Sequence, residues 1–283
     1  MLQSHLGHAI ELRVANKHAA RRIYNGNFKY VFLQHGVMYM VSLDSKARSF
    51  FRKNGGMPKN SKIVVSSELE AEHFVTLGGF NREDLYITGL PKYDKSQWNK
   101  QADKIVIMLT WRPWEYNLVR NDINNSPYYK LVEKVVDSIP EKLKNRVILM
   151  PHPLVLDGFM RSKLSKYILK EFKYNEVLKN TKILITDYSS IAYDAFYRGS
   201  NLVFYWEEKD YCMNQYGGHL MLDENNIFGR VCYNTNDLKK VIEEEYNCQQ
   251  QEKYMKRYKQ IVEFSDNKNT DRLINFLKRD KII

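Results

Sequence analysis

Four polar clusters, each placed directly after a short apolar run, hold the side chains of this 283-residue chain best suited to chemistry. They are Gln34, His35 and Gly36; Thr110, Trp111 and Arg112; Pro151, His152 and Pro153; and residues 186–190. His35 falls on a tight turn, with Gly36 permitting close backbone approach, where an imidazole can project into a cleft and take a hydroxyl proton near neutral pH. A turn histidine bonded to backbone is the plain alternative. His152 is held between two prolines, a rigid mount that suits a group stabilising a leaving phosphate, although turn prolines flank ordinary loop histidines as well. Ser189 and Ser190 precede a helical stretch, so free backbone N–H groups and hydroxyls there form an anion site or a common serine cap. Asp187 and Asp194 bracket the same turn; Asp194, four residues beyond Ser190 on one helix face, could accept from ribose hydroxyls. Thr110 and Arg112 close another strand, where a guanidinium can hold phosphate with two donors or simply lie on the surface. Glu243, Glu244 and Glu245 form a solvated helix face, and no acidic pair stands at a strand end, so no essential metal is implied.

Positions after strands matter because open α/β sheets bind ligands outside the carboxyl ends of their strands. Apolar runs of strand length occur at residues 30–34, 62–66, 85–88, 104–110, 146–150, 182–186 and 201–205. Helix-period segments at 67–77, 128–138, 165–178 and 189–197 alternate with them. That alternation predicts parallel strands covered by crossover helices, a doubly wound α/β architecture. The apolar pattern lapses over 91–103, which places a boundary between a short first domain, 1–98, and a full nucleotide-binding second domain, 99–283.

Composition narrows the partners. An excess of 44 Lys and Arg over 33 Asp and Glu gives +11, a field that attracts phosphate-rich molecules. The basic residues are spread along the chain without zinc-finger spacing or an aromatic RNA-binding signature, which argues against nucleic acid. Three cysteines with no CxxC pair fit a reducing cytoplasm and neither a disulfide framework nor structural zinc. The longest apolar runs fall short of the roughly 18 residues of a membrane span, and the first residues do not read as a signal peptide. Leu2, Leu6 and Ile10 recur at helical spacing beside Arg13, Lys17, Arg21 and Arg22, so peripheral contact with an anionic membrane from the cytoplasmic side is expected.

Taken in order, the clusters resemble the CDP-glycerol glycerophosphotransferase family, the teichoic acid primases and polymerases and related capsule enzymes. His35 and Gly36 resemble its histidine-glycine motif. Gly89, Leu90, Pro91, Lys92, Tyr93 and Asp94 are similar to its GxPRxD segment with lysine for arginine. Leu109 to Arg112 resembles its TWR-type strand end, and His152, Pro153 and residues 185–190 follow, with Asp194, Phe204 and Tyr205 continuing the pattern. Asp266, Asn267, Lys268 and Arg272 resemble its terminal D-G-x and arginine, so the likeness spans residues 30–277.

The resemblance implies a GT-B fold of two Rossmann-like domains, here with an abbreviated N-terminal one. It implies transfer of glycerol phosphate or a related polyol phosphate from CDP-glycerol to a polymeric or lipid-linked acceptor, releasing CMP without an essential cofactor. His35 would be the base on the acceptor hydroxyl. His152, Thr110, Arg112, Ser189 and Ser190 would hold the donor pyrophosphate, and Asp194 its ribose. Residues 226–230 depart from the family's proline-containing segment. Two other readings remain: a nucleotide-sugar glycosyltransferase of the same fold, and a non-catalytic nucleotide-binding scaffold of envelope assembly.

Overall fold

The computed structural model describes residues 2–3, 25, 29–171 and 173–283. Apart from Leu2 and Gln3, which form a short strand, the basic amphipathic segment expected near the amino terminus lies outside them. Among the described residues no helix is long and apolar enough to cross a membrane.

Packing divides the chain into two compact units. Unit 1 comprises Met1–Lys95, Asp210–Ile227 and Met255–Ile283; unit 2 comprises Ser96–Lys209 and Phe228–Tyr254. This corrects the expectation of one break after residue 98 and a short first domain, since the units are of nearly equal length. The sequence pattern missed the two returning segments because it reports local periodicity, whereas their place is set by the surface each covers.

Among the described residues, unit 1 contains four parallel strands in the order β1-β2-β3-β4: β1 Leu2–Gln3, β2 Tyr30–Phe32, β3 Ser61–Val65 and β4 Leu85–Ile87. Tyr30, Phe32, Ile63, Val65 and Leu85 enter one core with Ala71 and Phe74 of helix α1, Glu68–Thr76. Ser67 starts that helix by accepting from the Glu70 N–H at 3.1 Å.

In unit 2, β5 Lys104–Met108, β6 Val147–Leu149, β7 Thr181–Thr186, β8 Asn201–Tyr205 and β9 Arg230–Cys232 form a wholly parallel sheet ordered β6-β5-β7-β8-β9. Ile105, Val106, Ile107, Ile183, Leu184 and Ile185 are all inaccessible to solvent, as interior strands covered on both faces must be. Helix α2, Pro127–Asp137, buries Tyr128, Leu131, Val132 and Val135 at helical spacing against this core. Strand direction reverses its lateral progression between β5 and β7, which makes their carboxyl ends the switch point of a doubly wound sheet.

Three local expectations change. The helix predicted over 165–178 is two short pieces, Lys163–Tyr167 and Tyr174–Lys179, because residues 169–171 and 173 between them are exposed and have no face to bury. Strand β9, too short to register as a run, adds an edge to the sheet. Glu245 is 2% exposed rather than solvated; it accepts from Gln251 at 3.1 Å and pairs with Arg230 at 3.5 Å, while burial pushes its carboxyl up.

Candidate active site

At the switch point of unit 2, the loops after β5 and β7 are joined through Asp187. Its Oδ1 accepts from the Thr110 N–H at 2.8 Å, the Thr110 hydroxyl at 2.7 Å and the Tyr188 N–H at 2.6 Å. Its Oδ2 pairs with Arg112 Nη1 at 3.0 Å, and the same nitrogen donates to the Thr110 carbonyl at 2.5 Å. Arg112 Nη2 reaches Glu208 at 3.2 Å, and the guanidinium lies between the rings of Tyr128 and Tyr188, at 5.4 and 5.6 Å. Both Arg112 and Asp187 are 1% exposed.

This arrangement revises two readings. Arg112 and Asp187 direct their polar groups at protein partners, so they fix the ends of β5 and β7 instead of presenting themselves to a donor. A buried pair of this kind shapes a site, because removing either member strands a charge without solvent. Asp194, expected to face a ribose, is 7% exposed and lies 3.7 Å from Arg198, the residue that ends its own helix, α3 Ile191–Tyr197.

The groups left partly accessible above this frame are Thr110, Trp111, His152, Ser189 and Ser190. The His152 ring stacks on Trp111, centroids 5.1 Å apart and planes 18° from parallel. Its Nδ1 accepts from the Leu154 N–H at 3.2 Å, and burial pushes the imidazole below its ordinary value. A neutral ring whose Nδ1 accepts carries its proton on Nε2, an assignment made from the hydrogen bond. That nitrogen can therefore donate to an anionic oxygen. Ser189 Oγ accepts weakly from the Ile191 N–H at 3.4 Å, and Ser190 caps α3 without using its side chain.

His35 belongs to unit 1. The left-handed backbone of its turn falls on Gln34, at φ 57°. Gln34 tolerates that conformation because its buried amide donates to the Val64 carbonyl at 2.6 Å. His35 is exposed, and its carbonyl accepts from Lys92 Nζ at 2.8 Å, so the lysine standing where the family pattern has arginine anchors this turn. Gly89, at φ 73°, is a structural joint: a Cβ there would come within 2.2 Å of Asn269 Oδ1. Pro91 begins the 3₁₀ turn Pro91–Lys95. Asp94 accepts from the Asn269 and Thr270 N–H groups at 2.9 and 2.7 Å, capping the terminal helix Asn269–Arg279. The two distant motifs around residues 89–94 and 266–272 are thus halves of one joint, with Asn267 at φ 59° where the family pattern has glycine.

A family model described as CDP-glycerol:poly(glycerophosphate) glycerophosphotransferase matches residues 9–279. The chain belongs to that family. It is 26% identical over 277 residues to the minor teichoic acid biosynthesis protein GgaB of Bacillus subtilis (strain 168), covering 88% of this chain and 29% of that relative, so it spans under a third of GgaB. The wall teichoic acid polymerase TagF superposes with TM-score 0.63 at 16% identity, over 90% of this chain and 68% of that one. A TagF variant soaked with CDPG gives 0.61 at 18%, over 90% and 69%. At such identities the likeness concerns the fold, which is α/β of GT-B type. UDP-GlcNAc 2-epimerase of Methanocaldococcus jannaschii, bound to UDP-GlcNAc and UDP, shares it at TM-score 0.51 and 15% identity, over 83% and 68%.

Sequence reasoning missed Glu208, although it lies just past the end of β8, where the same strand-end rule would have found it. Trp206, whose Nε1 donates to the Asp187 carbonyl at 3.1 Å, was hidden in an apolar run. Trp111 stood within a quoted cluster without a role; its stacking on His152 gives it one.

Proposed function

We propose that the protein transfers a polyol phosphate, glycerol phosphate foremost, from CDP-glycerol to a hydroxyl of a teichoic-acid or capsule-type acceptor. The observation that supports this best is the Thr110–Asp187 link across the switch point of unit 2, in a member of this family. It joins the loop of Thr110 to that of Ser189 and Ser190 at the carboxyl ends of β5 and β7, the end at which doubly wound sheets bind ligands, and Trp111 of the first loop stacks on His152.

In the reaction, the acceptor oxygen attacks the phosphorus that carries glycerol. The bridging P–O bond breaks, CMP leaves with the bridging oxygen, and His35 takes the acceptor proton. His152 donates from Nε2 to the leaving phosphate, Thr110 and the two serines hold pyrophosphate oxygens, and catalysis comes from positioning and electrostatic stabilisation. Arg112 and Asp187 hold that frame from beneath. The +11 charge suits both a polyanionic product and peripheral contact with an anionic membrane carrying a lipid-linked acceptor.

CMP release measured with CDP-glycerol, CDP-ribitol and a panel of nucleotide sugars tests the reading. Turnover of a CDP-polyol with acceptor supports it. Turnover of a nucleotide sugar alone, or donor binding without CMP release, replaces it with the sugar-transferase or scaffold reading.

A further inference from the structure

Behind the His35 turn lies a carboxyl group that the reaction above does not use. Glu70, on α1, is wholly buried. Its Oε1 lies 2.6 Å from the Met38 amide nitrogen and 3.3 Å from Gln34 Nε2, so one oxygen ties down the residue before His35 and the third residue after it. Its Oε2 lies 2.6 Å from the Ser66 amide nitrogen and 2.7 Å from Ser66 Oγ, at the end of β3. The same Oγ lies 2.6 Å from the Ile261 carbonyl oxygen.

These five contacts must each contain a hydrogen, or two lone pairs would be forced together in a dry interior. Gln34 Nε2, the Met38 N–H, the Ser66 N–H and the Ser66 hydroxyl supply four. The Ser66 hydroxyl has one hydrogen and faces two oxygens, Glu70 Oε2 and the Ile261 carbonyl. The fifth hydrogen is supplied if Glu70 is protonated and donates to Ser66 Oγ, which passes its own hydrogen to Ile261. All these partners are uncharged, and burial pushes the Glu70 carboxyl in the same direction.

We propose that Glu70 is a positioning residue: an uncharged carboxyl group that fixes the turn bearing His35, and so the direction of the imidazole, without touching substrate. Lys92 holds that turn from outside through the His35 carbonyl, and Glu70 holds it from inside on both flanks. The proposal rests on His35 being the base.

The test compares Glu70→Ala and Glu70→Gln in the full chain, reading kcat and donor KM from CMP release and the His35 ring signals by NMR, assigned through their loss in His35→Gln. Glutamine keeps the acceptor towards Met38 and Gln34 and donates to Ser66 Oγ, as the protonated acid does, at the expense of the Ser66 N–H bond. Expected for alanine are a fall in kcat of about tenfold or more, a donor KM within about threefold of the parent, and a shifted, broadened His35 signal. Glutamine should recover most of the turnover and the parent signal. A folded alanine variant with unchanged kcat and His35 signal overturns the proposal, as does a glutamine variant as impaired as alanine. If alanine fails to fold, glutamine alone decides by the same two readouts. Full activity of His35→Ala sinks the base assignment instead, and leaves the ring's response to Glu70 as a separate result.

Discussion

Each unit buries an ionisable side chain behind the strand ends that carry residues of the proposed site, and Arg112 and Glu70 are neutralised differently. In unit 2, Arg112 is met by two carboxylates, Asp187 at 3.0 Å and Glu208 at 3.2 Å. In unit 1, Glu70 meets amides and a hydroxyl and no opposite charge. A buried charge with a counter-charge can stay ionised, whereas one without it gives up its charge. In the proposed reaction the difference suits the tasks: a charged frame lends rigidity and field to the loop cluster proposed to receive the nucleotide, and a neutral hub orients a single imidazole without altering its electrostatics.

The largest effect should come from breaking the charged frame. Asp187→Ala leaves Arg112 buried with half its compensation and should cost about 3–5 kcal/mol. Glu70→Ala orphans the neutral Met38 and Ser66 amide N–H groups, at about 1–3 kcal/mol for each, and strands no charge. Urea unfolding of both variants measures these losses. His35→Ala should next lower turnover by about 10²-fold or more with donor affinity nearly unchanged, as measured by CMP release and titration.

The third prediction concerns pH. His73 is 3% exposed against Tyr39 and Phe74, with both ring nitrogens lacking a hydrogen-bond partner, and burial pushes its pKa down to about 4. Between that value and the ordinary one of about 6.5, the unfolded chain binds more protons than the folded one. Stability should therefore be complete above about pH 6.5 and decline as pH falls towards about 4. His73→Phe should flatten that decline in pH-resolved urea curves. A smaller effect belongs to Ser189→Ala combined with Ser190→Ala, which should weaken CDP-glycerol binding by about thirtyfold, at about 1 kcal/mol for each of the two lost hydrogen bonds, read by calorimetry. Smallest is Trp111→Ala, which removes a stack worth about 0.5–1.5 kcal/mol. It should reduce turnover by tenfold at most; an unchanged rate would show that His152 is held by its prolines and the Leu154 N–H alone.

What the sequence by itself determined was local. Uninterrupted β-branched runs such as Ile105, Val106 and Ile107 can only be interior strands, and polar residues directly after them must lie at strand ends, which is why His35, Thr110, His152 and Ser189 were found. The motif order likewise placed the chain in its family. What only the tertiary structure decided was which polar groups face outward and which face one another. Arg112 and Asp187 carry the side chains of a phosphate site, yet they are taken by each other across 75 residues, a pairing no local pattern encodes. Glu70 reads in sequence as one acid among three on an exposed-looking helix start, and becomes a hub only because β3 and the segment near Ile261 close over it. The physical reason is the same in both: periodicity reports which face of an element is buried, while the state of a buried polar group depends on partners brought from distant parts of the chain.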